Sequence, residues 1–225
     1  MIRRITLLAV VSAVLAATPL FAQMEFPGEG LNGHIEGRTY YSATGEFSVH
    51  IPVLAALNGT VGDTPNQVIF ADPISTYITI VCYPFDAAER GKLDVQGPKQ
   101  YLQEYFYNYV WRSFSSYPGA RYETDARFQP HLFDGAFFTY IDLPGGSEFY
   151  PPEYRLSFDT PPPVAKRGNL MFIHGDIIYV ISMELAERMT HANHYNLSSE
   201  EEDILLRDRL TAFANTIHFL TPASQ

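Results

Sequence analysis

The sequence predicts an α+β fold, an antiparallel β-sheet covered by helices on its faces. Three observations predict it: one hairpin that is apolar on both sides, a meander of strand patterns before it, and two helical stripes to cover the sheet. The hairpin lies in RGNLMFIHGDIIYVISM, residues 167–183, where two apolar runs flank Gly175-Asp176. A two-residue loop beginning with glycine suits a type II′ turn, whose first central residue needs φ > 0. Pairing across it sets His174 opposite Ile177, Ile173 opposite Ile178, Phe172 opposite Tyr179 and Met171 opposite Val180. Alternation gives one face to Leu170, Phe172, His174, Ile177, Tyr179 and Ile181, and the other to Met171, Ile173, Ile178 and Val180. With both faces apolar, the hairpin belongs in the middle of a sheet.

Residues 1–23, MIRRITLLAVVSAVLAATPLFAQ, read as a secretory signal peptide. Arg3 and Arg4 supply a basic start, Ile5 to Ala17 an apolar run, and Pro19 a break before the small residue Ala22. The run is shorter than the ~20 residues that span a bilayer, so no stable membrane insertion is expected after cleavage. Residues 24–38 mix charge and glycine without periodicity and read as a flexible lead-in to a single domain at 39–221.

Within that domain, Thr39 to Ser42 opens the sheet. Phe47, Val49 and Ile51 then alternate with Ser48 and His50, which predicts a half-buried strand with His50 turned outward. Residues 57–66, LNGTVGDTPN, read as loop, Val68 to Ala71 as strand, and YITIVCYPF, residues 77–85, as a central strand. DAAERGKLDVQG, residues 86–97, reads as surface.

Gly97-Pro98 is a helix entry, with proline at the first helical position. The stripe Leu102, Phe106, Tyr109, Val110 and Phe114 predicts a helix to about Ser116, and Tyr101, Tyr105, Tyr107 and Trp111 widen its aromatic face. The first reading is a helix covering the sheet with one aromatic face in the core; the sharper one is that the surplus tyrosines and Trp111 line a groove or partner surface.

Arg121 to Phe128 alternates as a strand, Asp134-Gly135 reads as a tight turn, and Ala136 to Leu143 continues the meander. Residues 147–166 contain Pro151-Pro152 and Pro161-Pro162-Pro163, a Pro-rich surface insertion. After the hairpin, Glu184 to Met189 reads as a short helix or as the strand running on. Ser198 with Glu201, or Ser199 with Glu202, offers a capping box for a closing helix to about Thr216, with Leu206, Leu210, Phe213, Ala214 and Ile217 on its buried stripe.

The charge balance excludes some partners. Without Arg3 and Arg4, 13 basic residues face 25 acidic ones, a net charge of −12, which disfavours nucleic acid and anionic lipid. Cys82 is alone and sits in an apolar strand, so it reads as a buried, inert thiol. No phosphate loop, nucleophile elbow or H-E-x-x-H zinc pattern occurs. The nearest thing to a metal set is Glu187, His191 and His194, whose spacing would gather them on one face of a helix, but Asn193 and Asn196 give that segment loop character. His174 reads as a strand-end residue. The expected catalytic, cofactor and metal residues are therefore none.

The order of elements resembles that of PsbP-like proteins, the extrinsic photosystem subunits and their bacterial relatives. GEFSVHIP is similar to that family's opening strand, GNLMFIHGDIIYVIS to its glycine-led hairpin, and LTAFANTIHF to its closing helix with an aromatic end. The resemblance spans about residues 40–219 and implies an α/β/α sandwich serving binding or assembly. No functional residue is carried over. The expectation is an exported, non-catalytic module, periplasmic or secreted, that recognises an extracytoplasmic protein or small ligand. The alternative is a secreted hydrolase whose residues meet only in three dimensions. A deep pocket gathering His174, His191 or His194 with carboxylates would favour the hydrolase; an exposed aromatic patch around Tyr101, Tyr105 and Trp111 would favour binding.

Overall fold

The computed structural model describes residue 26 and residues 30–123, 126–149, 163–191 and 194–220. The signal peptide read at 1–23 and most of the Pro-rich insertion, residues 150–162, lie outside them. Twelve strands form among the described residues: β1 (His34–Glu36), β2 (Thr39–Tyr41), β3 (Phe47–His50), β4 (Thr60–Thr64), β5 (Gln67–Ala71), β6 (Tyr77–Pro84), β7 (Arg121–Tyr122), β8 (Arg127–Gln129), β9 (Ala136–Pro144), β10 (Val164–His174), β11 (Ile177–Glu184) and β12 (Ile217–Phe219). The helices are α1 (Ala87–Tyr105), α2 (Trp111–Phe114), α3 (Glu187–Thr190) and α4 (Ser199–Ala214), with a π turn at Phe106–Val110 joining α1 to α2.

The main sheet is antiparallel, in the order β4-β5-β6-β11-β10-β9-β7, and β8 shares the outer edge of β9 with β7. The hairpin β10–β11 occupies its centre in the register expected, His174 opposite Ile177 through Met171 opposite Val180. Gly175 takes φ +58° at the first loop position. The two faces then enter separate cores. Leu170, Phe172, Ile177, Tyr179 and Ile181 join one; Met171, Ile178 and Val180 join the other, under α1.

The fold is α+β as expected, with one addition. The first core is covered by α4 together with a second, four-stranded sheet in the order β1-β2-β3-β12. Phe47 of β3 meets Tyr179 edge-on at 6.0 Å, and Tyr40 of β2 meets Phe70 in the same way. The strand GEFSVHIP therefore roofs the main sheet instead of opening it. Ile217–Phe219 leaves the closing helix after Ala214 and pairs with β3, Ile217 opposite Val49.

α4 reaches the sheet over Gly168, where a Cβ would stand 2.9 Å from Leu210 Cδ1 and 3.1 Å from Leu206 Cβ. Its N-terminus uses the first capping register, Ser198 with Glu201. That releases Glu202 and Asp203 to turn inward, where both are buried.

Four local expectations are corrected. His34–Glu36, inside the stretch read as a lead-in, pairs with β2. Thr60–Thr64 is an edge strand, not a loop: its single apolar residue, Val61, hid the pattern, while Asp63 anchors it by accepting from the Gly33 and Asn32 amides and the Tyr40 hydroxyl. Residues 87–96 are helical, capped by Asp86 accepting from the Glu89 amide, and the chain breaks at Gly97 before Pro98 restarts it. Asp134-Gly135 is not a two-residue turn, because Gln129 pairs with Ala136 and the loop holds six residues.

Candidate functional site

The strongest site geometry comes from the aromatic helix. In an α-helix, a step of four residues overshoots one turn by about 40°. Tyr101, Tyr105 and Tyr109 would thus spiral away from one another. The π turn at Phe106–Val110 reverses the drift, since i→i+5 bonding widens the turn to roughly 4.4 residues and makes the same step fall about 30° short. The three rings form a ladder: Tyr101 to Tyr105 at 6.3 Å with planes 30° apart, and Tyr105 to Tyr109 at 4.7 Å with planes 32° apart.

Tyr105 is buried beneath this arrangement, whereas Tyr109 is 53% exposed. The expected stripe is thus corrected at Tyr109, which the wider turn swings outward, while Leu102, Phe106 and Val110 stay in the core. From the sheet, Tyr83 at the end of β6 faces Tyr105 at 6.0 Å and is itself 45% exposed. Between Tyr83 and Tyr109 opens a cavity of about 480 Å³, whose lining includes Phe85, Glu89, Tyr101, Tyr105, Asn108, Arg112 and Ile178. That volume is within the range of small-molecule and peptide side-chain sites.

Polar groups are placed unevenly around it. Glu89 is engaged: it accepts from the Tyr101 hydroxyl at 2.7 Å and from Lys92 at 2.5 Å. Those two bonds hold its carboxyl below the usual range, against a smaller desolvation effect. Burial, reinforced by Glu89, pushes the Tyr101 phenol well above its ordinary value, so it remains a donor. Arg112, by contrast, is exposed and forms no ion pair among the described residues. On the far side of Tyr109 and Arg112 lies a second hollow of about 340 Å³, lined by Tyr107, Asn108, Trp111 and Ser115 as well as the two ridge residues. Tyr122 meets Trp111, Tyr107 and Phe106 edge-on behind it.

A second concentration of chemistry is internal. Lys166 is completely buried and lies 2.8 Å from Glu123, 2.6 Å from Asp203 and 3.2 Å from Glu202. Arg188 joins Glu202 to Asp142, Arg121 also reaches Asp142, and the Tyr195 hydroxyl donates to Glu202. Burial raises the Asp203 carboxyl to about 6; Lys166 opposes the shift and Glu123 reinforces it. Asp203 Oδ1 has the Lys166 charge beside it but no donor at a hydrogen-bonding angle. Lys166 itself is held in its charged form by these carboxylates, despite a desolvation effect in the other direction. A lysine kept protonated and enclosed has no lone pair to offer a substrate. The network clamps α4 and the end of β7 to β10.

The histidines do not converge. His174 is a strand-end residue, stacked on Phe219 with ring centroids 3.8 Å apart. Glu187 is committed to Arg209 through two contacts of 2.5 and 2.9 Å, and His191 follows the short helix α3. No group of three metal-ligating side chains gathers among the described residues. Cys82 is buried, and desolvation pushes its thiol up to about 12, the inert character expected. The exposed aromatic patch expected around Tyr101, Tyr105 and Trp111 is corrected: Tyr101 and Tyr105 are buried at the base of the cavity and Trp111 is half-buried beside the second hollow, and the exposed rings of the cavity are those of Tyr83 and Tyr109. Sequence reasoning missed Tyr83, Asn108, Arg112 and the Lys166 cage. The four-residue recurrence of tyrosine at 101, 105 and 109 was a usable signal.

No family model and no curated protein matches the chain. Among solved structures it is similar to the cyanobacterial PsbP protein of Synechocystis, at 10% identity over 87% of this chain and 98% of that one, with a TM-score of 0.47. It is also similar to the Ran-binding protein Mog1p of Saccharomyces cerevisiae, at 10% identity over 80% and 93% of the two chains, with a TM-score of 0.46. A Bacteroides thetaiotaomicron protein is similar at 10% identity and a TM-score of 0.43; 85% of this chain is covered, but only 51% of that one, about half its length. The resemblance to PsbP-like proteins is present in three dimensions and is loose.

Proposed function

We propose that this protein is an exported, non-catalytic binding module that takes its ligand between Tyr83 and Tyr109. The observation that carries this reading is the cavity itself: apolar aromatic walls with a few polar groups at the rim, on a helix whose π turn aligns the tyrosines. π turns recur at functional sites because a helix gains nothing from them in stability. In the charged cluster elsewhere, Lys166 is enclosed and committed to Glu123, Glu202 and Asp203. Export rests on the signal pattern of residues 1–23, and no described helix is long and apolar enough to cross a membrane.

Wild type and a Tyr83→Ala/Tyr109→Ala variant, immobilised side by side, test the binding reading against solubilised cell envelope and culture medium. Both tyrosines are exposed, so the variant should melt as the wild type does. A ligand retained by the wild type and lost by the variant is expected; equal retention by both, or none by either, counts against the site. Fusing residues 1–23 to alkaline phosphatase, which is active only outside the cytoplasm, tests export. Activity that survives removal of Ile5 to Ala17 would count against it.

A further inference from the structure

We infer that the ligand of this site is an extended, proline-containing peptide segment that carries a carboxylate, docked across the Tyr109–Arg112 ridge. This rests on the binding reading above and specifies its partner.

Two hollows share Asn108, Tyr109 and Arg112, one on each side of the ridge, and both are walled by aromatic rings. A compact molecule fills one hollow and leaves its neighbour wet. A polyproline II strand has three residues per turn and about 3.1 Å per residue, so prolines three apart return to the same face after roughly 9 Å. Asn108, Tyr109 and Arg112 are the common wall of the two hollows, so a strand laid across that wall presents side chains to both. Proline rings packed against aromatic faces are the contact such grooves use, and the preformed helix loses little entropy on docking.

The polar inventory agrees. The side chains of Tyr83, Asn108, Tyr109 and Arg112 make no hydrogen bond or ion pair among the described residues. Each brings at least one donor to the rim. A polyproline II backbone offers carbonyls with no internal partner, which is what a rim of donors can use. The charge selects further: Glu89 is already neutralised by Lys92, whereas the Arg112 guanidinium has no carboxylate among the described residues. An acidic residue in the peptide supplies one. The acidic body of the protein repels at long range, but screening limits this to about 8 Å at physiological salt.

The test is fluorescence anisotropy with a labelled peptide of sequence Pro-Pro-Glu-Pro-Pro-Asp-Pro-Pro, alongside one in which alanine replaces every proline. The mature chain should bind the proline peptide, with the alanine peptide about tenfold weaker. Tyr109→Ala should weaken binding about tenfold, a loss typical of a central aromatic contact. Arg112→Gln should weaken it several-fold at low salt, with the difference closing as salt rises. No binding, equal binding of the alanine peptide, or binding indifferent to Tyr109 would each overturn the inference. The immobilised-protein experiment still decides the broader reading: a captured ligand that depends on Tyr83 and Tyr109 but is not displaced by this peptide would keep the site and reject the peptide.

Discussion

Replacing Lys166 by methionine leaves an unbranched side chain one heavy atom shorter and removes the charge together with its hydrogen bonds to Glu123 and Ser199. The ammonium is fully buried and has three carboxylates within 3.2 Å. Removing one partner of a buried ion pair costs about 3–5 kcal/mol, because the charge left behind has lost its compensation. Here Arg188 continues to neutralise Glu202 at 2.9 Å, so the lower end, about 3 kcal/mol, applies. For a chain of this size that lowers the melting temperature by roughly 6–12 °C. The pH dependence gives the sharper test. Asp203 titrates near 6 even with Lys166 in place, above its unfolded value of 3.8. Without the lysine its folded pKa rises further. An acid whose folded pKa is raised favours folding below its unfolded value, and that benefit is lost as pH rises through the folded pKa. The stability deficit of Lys166→Met should therefore be largest above about pH 7 and shrink towards about pH 5. Thermal melts of both proteins across that window measure it, and Asp203→Asn added to the variant should recover part of the loss at high pH. A deficit below about 1 kcal/mol would refute the cage as a stabilising element, and one constant with pH would refute Asp203 as the group whose charge the lysine offsets.

Three further outcomes follow from the packing. Ile178→Asp places an unpaired carboxylate under α1, where Ile178 is 2% exposed, and should abolish cooperative unfolding in a thermal melt; a folded, cooperative variant would contradict the central position of the hairpin. Gly168→Val pushes into Leu206 and Leu210 of α4 and should cost about 1–3 kcal/mol in urea titration, whereas an unchanged midpoint would mean that α4 can lift without penalty. Cys82, with its thiol pushed up to about 12, should resist iodoacetamide at neutral pH until denaturant is added; modification of the native protein at the rate of a free thiol would be the contrary result.

The parts of this fold legible in the sequence are those whose pattern is local. The β10–β11 register followed from one glycine and strict alternation, because a hairpin brings together residues that are near in sequence. The cap of α4 was legible as two registers, and only the burial of Glu202 and Asp203 selects Ser198. The helix at Ala87 was hidden by its charged residues, and β4 by its single apolar side chain. The roof sheet was illegible for another reason: β3 looks the same whether it extends the main sheet or packs on it. Lys166 and Arg167 stood visibly at the head of an apolar run, but their partners come from Glu123, Glu148, Glu184, Glu202 and Asp203, scattered over 80 residues. At the proposed site, the tyrosine recurrence was legible, but the π turn that makes it a ladder was not.

The pairing of β12 with β3 has a consequence for the order of folding. Val49 and Ile217 meet across most of the chain, so this pairing has the longest sequence separation of any strand pairing among the described residues. Hairpins such as β9–β10 and β10–β11 can form early at little entropic cost, while the β3–β12 ladder must wait. Until it forms, the face bearing Phe172 and Tyr179 lacks Phe219, which otherwise stands 5.3–6.0 Å away on edge. Loop closure alone therefore orders the β3–β12 ladder after the local hairpins, and the Phe172–Tyr179 face is the one whose cover depends on that last, longest-range pairing.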